Sequence, residues 1–82
     1  MDFIRLGDVG DHDGSKVTTA SSSMRFDGRA VARKGDLVYC PKCKVDPNPI
    51  IEGDESMMDD GVPIARHGHR VACGCRLLSS LI

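Results

Sequence analysis

Residues 27–40 and 60–73 are two copies of one unit, and this duplication limits what the chain can fold into more than any other feature. Asp27, Gly28, Ala32, Arg33, Gly35, Val38 and Cys40 recur as Asp60, Gly61, Ala65, Arg66, Gly68, Val71 and Cys73, at a constant offset of 60 − 27 = 33. Ser23-Met24 and Ser56-Met57 carry the match upstream. A degenerate third copy opens the chain. Arg5-Leu6-Gly7-Asp8 followed by His12 has the frame of Arg33-Lys34-Gly35-Asp36 followed by Cys40, and of Arg66-His67-Gly68-His69 followed by Cys73. His12, Cys40 and Cys73 are therefore equivalent positions. A unit this short cannot bury its own apolar face, so the copies must stack in a row or close around a common axis.

Within a unit the signals are those of strand and turn. Asp27-Gly28 and Asp60-Gly61 are hairpin-turn pairs followed by small or β-branched residues. No segment holds a helical period beyond about two turns. Pro41, Pro47, Pro49 and Pro63 oppose helix, and Asp46-Pro47-Asn48-Pro49 reads as an extended loop between units. Residues 10–23 have the composition of a linker, but they fall inside the repeat frame and are expected to be ordered. The expectation is a mainly β, pseudo-three-fold domain of short strands spanning 1–82, with Leu77-Leu78 and Leu81-Ile82 as its closing strand and no appended effector domain.

The means of stabilising such a domain are few. With no Trp, one Tyr and two Phe among 82 residues, apolar burial is thin. Small chains in this position use disulfides, a metal or a partner. The N-terminus Met1-Asp2-Phe3-Ile4-Arg5 is not a signal sequence, and no apolar run is long enough to cross a membrane. The chain is thus expected to fold in the cytoplasm, where thiols stay reduced and cysteine serves as a metal ligand. A net charge of −1 with interspersed signs leaves no basic face for nucleic acid and no polybasic membrane anchor.

Cys40-Pro41-Lys42-Cys43 and the cluster His67-Gly68-His69-Arg70-Val71-Ala72-Cys73-Gly74-Cys75 supply soft ligands at spacings suited to tetrahedral zinc, with His12 on the first unit. More candidates exist than the four places of such a site. The set chosen from the residues is His12, Cys43, His69 and Cys73, with Cys40, His67 and Cys75 as alternatives. Four protein ligands close the sphere, so the zinc is expected to be structural. No His-Glu-x-x-His helix or nucleophile elbow is present, and the proline-rich context of Cys40-Pro41-Lys42-Cys43 does not suit a thiol-redox helix. An enzyme is not expected.

Together these elements resemble the PAAR-repeat family, small conical proteins that cap the spike of bacterial type VI secretion systems. The resemblance rests on Arg29-Ala30-Val31-Ala32-Arg33 and Val62-Pro63-Ile64-Ala65-Arg66 in a Gly-x-x-x-Ala-Arg-x-Gly frame, on Gly7-Asp8-Val9-Gly10-Asp11-His12, and on Cys40-Pro41-Lys42-Cys43, where Cys43 replaces the family's histidine. It implies a tip that sits as a monomer on the trimeric VgrG spike, sharpens it for membrane puncture and helps attach effectors carried non-covalently. It also implies export from the cytoplasm on the spike into the target cell or extracellular space. The competing expectation is a free-standing zinc-ribbon-like adaptor that binds protein or nucleic acid, for which only Arg70, Arg76 and Tyr39 lie near the ligands.

Overall fold

The repeated Arg-x-Gly turn organises the whole molecule. A computed structural model describes residues 2–82, and among these there is no helix. The eight strands are β1 (Val9–Gly10), β2 (Lys16–Val17), β3 (Arg25–Phe26), β4 (Arg29–Ala30), β5 (Val38–Tyr39), β6 (Asp54–Asp59), β7 (Val62–Ile64) and β8 (Leu77–Leu78). In each unit the Arg N–H is held by the side chain three residues on. Arg5 donates to Asp8 Oδ2 and Arg33 to Asp36 Oδ2, both at 2.8 Å, and Arg66 donates to His69 Nδ1 at 2.9 Å. The intervening glycines Gly7, Gly35 and Gly68 have φ of 86°, 94° and 86°, a region closed to most side chains.

The three units close on one another through the residues just before these turns. The Ile4 N–H donates to the Ala65 carbonyl (3.0 Å), Ala65 to Ala32 (3.0 Å) and Ala32 back to Ile4 (2.8 Å). This triangle of backbone bonds defines a pseudo-three-fold axis, and all three residues are buried on it. Each unit then runs into a hairpin whose cross-strand pairs are Val9 with Lys16, Leu37 with Pro49, and Arg70 with Arg76. The hairpins join edge to edge: β2 pairs β5, Ile50 bridges Val71, and β8 pairs β1. The ring has no free edge, which is how a chain of two-residue strands avoids presenting unpaired backbone.

Alternation along these strands separates core from surface. Val17, Ile50 and Leu77 point inward at equivalent positions and, together with Val38, Val71 and Cys75, form one cluster around Ile4, Ala32 and Ala65. Outward, the ring has three flanks on one backbone frame and of different chemistry. The first is the row Leu78, Val9, Lys16, Tyr39. The second is Thr18, Leu37, Pro49, Ala72, and the third is Ile51, Arg70, Arg76, Asp11.

At the end of the molecule away from the hairpin tips, a second cluster of Phe3, Val31 and Ile64 packs with Met24, Phe26, Met57 and Leu81. Two further hairpins cover it, β3–β4 and β6–β7. Their turns are Asp27-Gly28 and Asp60-Gly61, with φ of 52°, 86°, 53° and 79°, both residues left-handed as the two-residue hairpin requires. β6 is longer than β3 because its register slips between Asp54 and Met58, leaving a bulge. Residues 10–23 are ordered, with Ser15, Val17 and Ser21 buried. Residues 46–49 belong to the tip of the second hairpin rather than lying between units: Asn48 is buried and Pro49 pairs with Leu37.

Candidate metal centre

The three hairpin tips meet. His12 from the first, Cys40 and Cys43 from the second and Cys73 from the third bring one ligand atom each to within 4.8 Å of one another. His12 Nδ1 faces both neighbouring sulfurs, at 3.4 Å from Cys40 Sγ and 3.3 Å from Cys43 Sγ. A tetrahedral zinc with Zn–S of about 2.3 Å and Zn–N of about 2.0–2.1 Å separates its ligand atoms by about 3.6–3.8 Å. The donor set therefore suits zinc in both chemistry and spacing, and the cluster could hold such an ion.

The three-fold frame explains why these residues converge. His12, Cys40 and Cys73 each follow the outward residue of the hairpin pair by three positions, after Val9, Leu37 and Arg70. His12 and Cys40 each start a tight tip turn, with Ser15 N–H donating to the His12 carbonyl (3.0 Å) and Cys43 N–H to the Cys40 carbonyl (3.3 Å), whereas Cys73 lies inside the third turn, which the Gly74 N–H closes on the Val71 carbonyl (2.8 Å). The second tip is longer, and its extra residues present Cys43 as the fourth thiol. Beneath the cluster lie three equivalent buried residues, Ser15, Asn48 and Cys75. Asn48 accepts the Cys73 N–H at 3.0 Å and donates through Nδ2 to Cys73 Sγ at 3.3 Å and the Val38 carbonyl at 3.2 Å. That amide orients the Cys73 thiol, as an outer-shell group does for a metal ligand.

Of the residues selected from sequence, the structure brings His12, Cys43 and Cys73 together and places His69 elsewhere. His69 occupies the frame position of Asp8 and Asp36, and its Nδ1 accepts the Arg66 N–H at 2.9 Å. It braces a turn, and Cys40 stands in the cluster instead. The signal for this was present in the chain: aligning Asp8, Asp36 and His69 identifies a turn-bracing position, and aligning His12, Cys40 and Cys73 identifies the tip. His67 Nδ1 accepts the Ser79 N–H at 3.0 Å, and Cys75 Sγ lies against Ser15 Oγ at 3.6 Å, so neither joins the cluster. Gly10 makes room for that buried thiol, since a Cβ there would lie 2.1 Å from Cys75 Sγ.

The thiols resist ionising together. Hydrogen bonding with Cys40, then burial and the neighbouring Cys73, push the Cys43 thiol up to about 12. Burial also acts to raise Cys73, but hydrogen bonds with the Cys75 backbone, the Asn48 amide and the Cys43 and Cys40 thiols outweigh it and lower that group. Burial raises Cys75. A divalent cation among crowded thiols reverses this balance, displacing protons and stabilising thiolates.

Fold and site define a small all-strand domain in which three repeated hairpins converge on a potential metal centre. The family model of the PAAR motif matches residues 6–79, and the chain belongs to that family. None of the curated proteins matches the chain. Membership supports a spike-tip type of role in a type VI secretion system, in association with a spike partner, and the family is structural rather than enzymatic.

Proposed function

We propose that this protein caps the blunt end of the trimeric VgrG spike, with the Phe3, Val31 and Ile64 end seated on the trimer and the His12, Cys40, Cys43, Cys73 tip leading. The observation that carries this reading is the backbone triangle of Ile4, Ala32 and Ala65. A chain folded around a pseudo-three-fold axis offers a three-fold partner three related contacts from one copy, which suits one monomer per trimer. Zinc held by the four tip residues crosslinks the three hairpins where the apolar core is thinnest, so the leading point resists local unfolding under load. With four protein ligands the ion has no open position, and its part is structural.

On this reading the protein is made in the cytoplasm, leaves on the spike and helps to carry effectors held without a covalent link. Co-expression with the cognate spike protein tests it. One chain should co-purify per trimer, a charge placed at the exposed Met58 near the seated end should weaken the complex, and Lys42→Ala at the tip should not. A spike trimer that leaves the chain unbound, or binding lost through the tip variant alone, contradicts the proposed seating.

A further inference from the structure

The repeat provides an internal control for each flank of the ring, and the third flank departs from it. Arg70 and Arg76 are directly opposite in the third hairpin. Val71 N–H donates to the Cys75 carbonyl and Leu77 N–H to the His69 carbonyl. Arg70 and Arg76 are thus the pair that exchanges no backbone bond, the arrangement that brings side chains closest. Like charges so placed are destabilising. The equivalent pairs, Val9 with Lys16 and Leu37 with Pro49, carry one charge and none, so the frame does not demand arginine here.

Neither guanidinium forms an ion pair among the described residues. The ion pairs among the described residues involve Arg29, Arg33 and Arg66 and leave out Arg70 and Arg76. Arg76 Nη1 makes a long contact with the Gly68 carbonyl at 3.5 Å. Two carboxylates beside them are engaged by the backbone: Glu52 Oε1 accepts the Arg70 N–H at 2.7 Å and Asp11 Oδ1 accepts the Arg76 N–H at 2.9 Å. Beside Arg70 the apolar Ile51 is 48% exposed.

We infer that the Ile51, Arg70, Arg76 flank is a docking site for an acidic, extended segment of a partner protein. Two guanidiniums offer paired donors to a carboxylate, and Ile51 offers contact to an apolar side chain next to it. Asp11 and Glu52 bracket the pair and would repel a continuous polyanion, and a net charge of −1 supplies no wider field for nucleic acid or an anionic bilayer. The site therefore selects one or two carboxylates in register with apolar residues. It stands on the flank geometry alone and does not require the spike-cap reading.

The test is a titration of the isotope-labelled, metal-loaded protein with the peptide acetyl-Glu-Ser-Val-Ser-Glu-amide, which when extended presents Glu, Val and Glu on one face, read by NMR at the Arg70 and Arg76 Nε–H and the Ile51 methyls. Saturable shifts confined to these groups are expected. The Arg70→Gln, Arg76→Gln double variant should bind about tenfold more weakly or worse, with metal content retained and thermal midpoint equal or higher. Leu37→Gln on another flank should bind as the parent does. No shift at these groups at peptide concentrations above about 1 mM, undiminished affinity in the double variant, or preferential binding of an oligothymidylate would each overturn the proposal.

Discussion

At the scale of single residues, the two histidine and cysteine positions exchanged between sequence and structure make a sharp contrast. Cys40→Ala should abolish stoichiometric metal binding, measured by elemental analysis. His69→Ala should keep the metal and lose about 1 kcal/mol of stability, the usual cost of removing a turn-bracing acceptor from a backbone N–H. His69→Asp, which restores the residue found at Asp8 and Asp36, should be close to neutral. Metal loss in His69→Ala with retention in Cys40→Ala would reverse the two roles. Proton release gives a second measure. Because Cys43 is pushed up to about 12, it is protonated at pH 7 without metal, and zinc must expel that proton on binding. Titration calorimetry in buffers of different ionisation heat should show net proton release at pH 7; no release would contradict the thiol environment described.

At the scale of elements, the hairpins were legible because their turns are local. Asp27-Gly28 and Asp60-Gly61 lie where the sequence puts turns, and the Arg-x-Gly frame marks the three bends. Gly61 has φ of 79°, so Gly61→Ala should cost about 1 kcal/mol in chemical denaturation, whereas the same exchange at an exposed position with ordinary φ should cost much less. What local signals could not reveal was how the units pair, since the Ile4, Ala32, Ala65 triangle links residues far apart in the chain. The place of residues 46–49 within the second tip depends on the same non-local pairing. His69 was misleading because histidine at the end of a Cys-rich cluster suggests a ligand, and its competing bond to Arg66 N–H becomes visible only through the frame. The β6 bulge adds a titrating element. Hydrogen bonds from the Ser56 hydroxyl, the Arg66 guanidinium and the Ser56 N–H draw Asp54 down to about 2 from 3.8. A lowered carboxyl contributes stability that is fully present above pH 3.8 and lost as pH falls towards 2. The Asp54 carboxyl carbon should titrate near 2, and Ser56→Ala should move its midpoint upward; an unmoved midpoint would count against the bulge geometry.

At the scale of the whole molecule, the core around the three-fold axis is a short set of aliphatic residues, among them Ile4, Val17, Ile50, Val71 and Leu77, and an ion held by His12, Cys40, Cys43 and Cys73 would tie together what burial holds weakly. Apparent zinc-binding energies in small domains are on the order of 10 kcal/mol, as large as the total stability of many domains. Chelation should therefore lower the thermal midpoint far more than any single core substitution, and readdition of zinc should restore it. The most direct test of the central claim is anomalous diffraction at the zinc edge from crystals of the zinc-loaded protein. One peak per chain is expected, bound by His12 Nδ1 and the sulfurs of Cys40, Cys43 and Cys73. A peak located at His69 or Cys75, or no peak between the three hairpin tips, would contradict it.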